Sequence, residues 1–117
     1  MSNHLSSDER TAAVQVGRRL REARELAGLS LREVAQRVGL RDHTVIMKYE
    51  RGETPPSSTR LRSLALAVGC SAAALLAEHD DAVALIGAVD RADTARLAQL
   101  QFVLESLDVP PPVPPEP

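Results

Sequence analysis

Aromatic residues are all but missing from this chain, with one Tyr, one Phe and no Trp in 117 residues. Strands and sandwich cores lean on ring side chains, so a core here has to come from Ala, Leu and Val packed between helices. The expected fold is therefore all-α. Cysteine is as scarce: the single Cys70 has no partner for an internal disulfide and no CxxC neighbour for zinc, which fits a reducing, cytoplasmic setting. Long apolar runs are missing too. The longest charge-free stretch, 63–77, is shorter than the ~20 residues of a membrane span and is interrupted by Gly69-Cys70-Ser71. The opening MSNHLSSDER has neither the basic start nor the apolar stretch of a signal peptide. No Gly-rich phosphate loop, no GxSxG and no nucleophile with a neighbouring base is present, so enzyme classes built on them are not expected. His4, His43 and His79 lie in separate segments without ligand spacing, and neither a metal nor a cofactor is expected.

What is there is a charge asymmetry. The net charge is only −2, yet residues 10–62 hold 12 of the 14 Lys+Arg against 6 acidic residues, a balance of +6. Residues 1–9 carry −2 and residues 63–117 carry −6. A basic half beside an acidic half is the pattern of a chain that turns only one part toward a polyanion.

Periodicity divides the chain into helices. From Thr11 to Ala27, apolar Val16, Leu20, Ala23 and Ala27 recur at helical spacing, while Arg18, Arg19, Arg21, Arg24 and Glu25 take the other face. Ser30 followed by Glu33 makes a capping box for a second helix over 31–38, stopped by Gly39. Asp42 is the expected N-cap of a third helix reaching Arg51, with Val45, Ile46 and Tyr49 inward and His43, Thr44, Met47, Lys48 and Arg51 outward. STRLRSLALAV gives a fourth helix burying Leu61, Leu64, Ala65 and Val68, and SAAALLA a short fifth. Two further helices are expected over 80–89 and 93–107, and VPPPVPPEP should be an extended tail. The domain plan is a flexible 1–10, a helix-turn-helix unit at 11–78, a C-terminal helical segment at 79–108 and a Pro-rich, disordered 109–117.

Leu20, Arg24, GLSLREVAQRVGL, YERGE, the Pro56-Ser57 pair, LRSLALAVG and Leu75-Leu76 follow one another in an order that resembles the lambda-repressor-like, or XRE-type, helix-turn-helix domain. The resemblance covers residues 16–77 and implies a five-helix DNA-binding unit whose third helix enters the major groove. By position it implies base contacts from His43, Thr44, Met47 and Lys48. It further implies phosphate contacts from Ser30, Arg41, Arg51 and Ser57. The chain departs from the family in one place: between Gly39 and Ile46 it has one residue more than the commonest spacing, so the turn before helix 3 is longer.

One such unit covers about half of a DNA site, whereas two related by a twofold axis read half-sites ~34 Å apart. The chain then needs a pairing surface. Leu97, Leu100, Val103, Leu104 and Leu107 line one side of the last helix and are the expected dimer contact, the other option being that this helix folds back on its own domain. The expectation is a cytoplasmic, homodimeric transcriptional repressor on a double-stranded operator, with no membrane association and no enzymatic activity. Two alternatives are an autorepressing antitoxin whose C-terminal segment binds a toxin, and an adaptor that uses the same fold, or its C-terminal helices, to hold a protein partner.

Overall fold

The computed structural model describes residues 6–107, and the Pro-rich tail expected at 109–117 lies outside them. The described residues form seven helices and no strand: α1 Ser7–Leu26, α2 Leu31–Arg37, α3 Thr44–Glu50, α4 Ser58–Val68, α5 Ala72–Leu76, α6 Asp80–Arg91 and α7 Thr94–Ser106. The fold is all-α, as the scarcity of aromatics required.

Helix starts depend on side-chain capping. Ser30 accepts from the Glu33 amide at 3.0 Å while Glu33 accepts from the Ser30 amide at 3.2 Å, the reciprocal box read from the sequence. A second box, Ser6 with Glu9, starts α1 at Ser7. Residues 7–10 are therefore helical rather than part of a flexible end, because Ser6 supplies the cap that a start at Thr11 lacked. Ser57 and Ser71 cap α4 and α5 by accepting from Arg60 and Ala74 amides.

The stop of α2 aims the chain into the turn before α3. Gly39 has φ 77, a left-handed conformation that side chains rarely adopt, and this lets its amide reach Gln36 O while the Leu40 amide reaches Ala35 O at 2.8 Å. The same pair of bonds closes α1, α3 and α4 after Gly28, Gly52 and Gly69.

Leu20, Val34, Ile46, Leu64 and Leu75 are sealed from solvent and knit α1 to α5 into one core. Each contributes about 1.5–3 kcal/mol relative to the same side chain in water. All four expected α4 positions, Leu61, Leu64, Ala65 and Val68, are buried. On α1, Leu20 is buried and Val16 and Ala23 pack half-buried against the core as expected; Ala13, Gly17 and Arg19 are buried besides, and Ala27, past the helix end, is exposed. Gly17 is what allows α1 to touch α3. A Cβ there would lie 2.6 Å from Glu50 O and collide with Tyr49 O, both backbone atoms.

Two arginines expected on the solvent face of α1 are drawn into ties with other elements. Arg19 is 4% exposed; its Nε donates to Ala77 O at 2.8 Å and its Nη1 to Asp80 at 3.0 Å, and the more exposed Arg18 reaches the same carboxylate at 3.3 Å. Burying a guanidinium requires such acceptors, and these tie α1 to the first turn of α6. The Arg19 and Arg18 bonds hold the Asp80 carboxyl below the usual carboxylate range.

α6 and α7 lie beyond the core and have no buried residue among them. α6 rests on α5, and α7 does not fold back on α1 to α5. The radius of gyration, 17.7 Å, exceeds the roughly 13 Å of a compact chain of this length, as an outlying arm requires. Among the described residues no helix is long and apolar enough to cross a membrane.

Candidate nucleic-acid interface

α3 is held by its inner side. Ile46 is fully buried, and Tyr49 packs half-buried against the same core. Its C-terminal end is clamped from α1: Arg24 Nε donates to Glu50 Oε2 at 2.6 Å and Nη2 to Oε1 at 3.0 Å, while Nη1 donates to Leu29 O at 2.9 Å. The paired side chains are 13% and 7% exposed, and the Glu50 bond pushes the Arg24 guanidinium above its already high ordinary value. Planar, bidentate pairing fixes orientation as well as distance. With Gly17 closing the gap, α3 has little freedom to roll on α1.

That anchoring decides which side chains point outward. Thr44, Met47, Lys48 and Arg51 stand at i, i+3, i+4 and i+7, on the face away from Ile46. Lys48 and Arg51 are exposed, and His43, Thr44 and Met47 are half-buried. The structure thus brings Thr44, Met47 and Lys48 together on one face of α3, with His43 just before it. His43, and not Asp42, is the N-cap residue, and its ring makes no cap bond. From its place one residue earlier, Asp42 still caps, accepting from the Thr44 amide at 2.9 Å and from its hydroxyl at 2.5 Å. Those two bonds hold the Asp42 carboxyl below its usual range.

The expected phosphate contacts sit at element ends. Ser30 and Ser57 are exposed N-caps whose oxygens accept backbone amides, which leaves each hydroxyl proton to donate outward. Arg41 is exposed in the turn, and Arg51 lies 3.9 Å from Glu53, a loose surface pair.

The basic half is less available than its sequence count. Arg19 and Arg24 are committed as described, Arg37 donates to Ala67 O and Arg60 to Val38 O, both through partly buried bonds. Arg18 and Arg21 pair with Glu22 and Glu25 along α1. Among the described residues, Arg10, Arg32, Arg41, Lys48 and Arg62 form no ion pair. Arg32, in the first turn of α2, and Arg62, on α4, are exposed additions to the candidate surface; residue type alone does not separate them from the committed arginines. Cys70 is half-buried against the core, and burial pushes its thiol up, away from the reactive thiolate.

α2, the turn 38–43 and α3, backed by α1 and α4, form a helix-turn-helix unit. The helix-turn-helix domain family matches residues 15–78. Among solved structures, the chain is similar to the clp gene regulator ClgR from Corynebacterium glutamicum, with 30% identity and a TM-score of 0.55, over 83% of this chain and 94% of that one. It is also similar to the hypothetical transcription factor NHTF from Neisseria, with 25% identity and a TM-score of 0.58, over 73% of this chain and 97% of that one. No curated protein matches it. The chain belongs to the helix-turn-helix domain family and is a DNA-binding regulatory protein.

Proposed function

We propose that this protein is a sequence-specific transcriptional repressor of the XRE type, acting in the cytoplasm as a homodimer on a palindromic operator. One observation carries the reading: α3 is locked by Ile46, Gly17 and the Arg24–Glu50 clamp, so that Thr44, Met47 and Lys48 stand outward with His43 at the helix start. In the groove, Lys48 donates to a guanine edge, His43 and Thr44 hydrogen-bond base edges, and Met47 touches a thymine methyl. Ser30, Arg41, Arg51 and Ser57 set the register on phosphates. Pairing falls to α7, where Leu97, Leu100, Val103, Leu104 and Leu107 are 38% to 66% exposed. A stripe of that kind needs a cover, and a second copy brings two α3 helices to one site.

A second reading is favoured by Phe102. It lies on the side of α7 opposite Leu100 and Leu104 and is exposed, so a leucine seam between two copies leaves it uncovered. A protein partner of α6 and α7, such as the toxin of an antitoxin pair, covers it.

Selection from a randomised duplex pool by the purified protein tests the proposal. Two inverted half-sites about one helical turn apart, bound with affinity that falls steeply with salt, are the expected result. Equal, weak binding to all duplexes overturns it and turns attention to the adaptor reading and a partner of α6 and α7.

A further inference from the structure

The Thr44 hydroxyl carries one proton, and that proton is already given away. It goes to Asp42 Oδ1 at 2.5 Å, the same oxygen that accepts the Thr44 amide at 2.9 Å. What Thr44 offers outward is oxygen lone pairs and a methyl group. A phosphate oxygen requires a donor, and so do the N7 and O6 atoms of guanine. Thr44 can serve neither. Beside it, Asp42 is exposed and its second carboxylate oxygen makes no hydrogen bond among the described residues, which adds another acceptor of the same polarity. The charge is stable there: the Thr44 bonds, with smaller help from His43 and Lys48, keep the carboxyl ionised at neutral pH.

We propose that Asp42 is a specificity-determining residue. By holding the Thr44 proton it makes the start of α3 an acceptor-only surface, which selects a base bearing an exocyclic amino group, adenine or cytosine, on the contacted strand at one position of each half-site. This rests on α3 being the base-reading helix. The position is distinct from the one Lys48 reads, because Lys48 supplies only donors and therefore selects acceptor atoms.

Selection from the same randomised pool, run with the full chain and with Asp42→Ala, Asp42→Asn and Thr44→Val, tests it. Helix content and thermal midpoint are checked for each variant first. Asp42→Asn keeps an acceptor for both Thr44 bonds but replaces the second carboxylate oxygen by an NH2 donor, so it weakens the amino-base preference at that one position without turning it to guanine or thymine and leaves the other positions as they are. Asp42→Ala frees the proton, and the preference at one position changes from an amino base to guanine or thymine while the other positions stay. Thr44→Val removes one of the acceptors and weakens the preference at that same position. On the wild-type site, replacing the selected base by its analogue without the amino group weakens binding about tenfold or more for wild type and leaves Asp42→Ala unchanged. Should Asp42→Ala enrich the wild-type sequence with a uniform loss of affinity, Asp42 is a helix cap and nothing else, and the inference is overturned while the operator reading stands. If wild type enriches no sequence, the operator reading fails and takes this inference with it.

Discussion

Arg24 on α1 and Glu50 at the end of α3 meet in a two-pronged ion pair, 2.6 and 3.0 Å long, with both side chains almost sealed from water. Removing one partner strands the other charge in a poorly solvated place. Arg24→Ala and Glu50→Ala should each cost about 3 kcal/mol of unfolding free energy, whereas Arg24→Ala with Glu50→Ala should cost less than the sum of the two. Urea denaturation of the four proteins closes the cycle, and additive losses would show that the pair is not coupled.

Gly17→Ala places a methyl group against two backbone carbonyls of α3. Backbone cannot rotate away as a side chain can, so the helices must part. The expected loss is about 2 kcal/mol, within the range of overpacked cores, together with weaker DNA binding at temperatures where the variant is still folded. An unchanged denaturation midpoint would contradict the close approach.

Lys48 is an exposed cation on the outer face of α3. As a base contact, Lys48→Ala should cost about 1–3 kcal/mol of binding and relax the preference at one position of the half-site. A uniform loss on all sequences, with the salt slope reduced by about one, would make it a phosphate contact instead.

Asp80 joins α6 to Arg18 and Arg19, and its folded-state pKa is depressed by those bonds. The sign comes from the direction. The tie is fully present above the ordinary carboxylate value of about 3.9 and is lost as pH falls through the lower, folded value. Carboxyl-carbon NMR across an acid titration should show Asp80 protonating below the ordinary carboxylate value of about 3.9, and Asp80→Asn should speed proteolytic cleavage near residues 77–80 at neutral pH. Titration of Asp80 at the ordinary carboxylate value would count against the tie.

Much of this architecture is legible in the chain itself. Local signals carry the helix ends, because a capping box or a glycine stop is written within four residues: Ser30 with Glu33, and Gly39 after α2, stand where expected. The core of α4 comes from its spacing. The misplacements share a cause. Arg19 and Arg24 look like solvent-facing charges on α1, and their acceptors Asp80 and Glu50 are distant in sequence, so no window on α1 contains the reason for their burial. Gly17 reads as a blemish in a helix until α3 lies against it. His43 takes the cap position, while Asp42, one residue earlier, still accepts from the Thr44 amide and hydroxyl, a division that residue type alone does not reveal.

Leu100 and Leu104 lie one turn apart on the exposed side of α7. Leu100→Arg with Leu104→Arg should leave the domain folded, since neither side chain touches the core, and should halve the sedimenting mass. Operator affinity should drop with it, because each unit then binds a half-site alone. An unchanged mass would move the pairing surface elsewhere.

Whether the outer face of α3 reads sequence is decided by the ratio of affinities for the selected duplex and a scrambled duplex at one fixed salt concentration. For the wild-type chain the expected ratio is at least about 10³, falling toward unity when Met47 and Lys48 are both replaced by Ala. A wild-type ratio near one, with the double replacement indistinguishable from it, would contradict base reading by this helix.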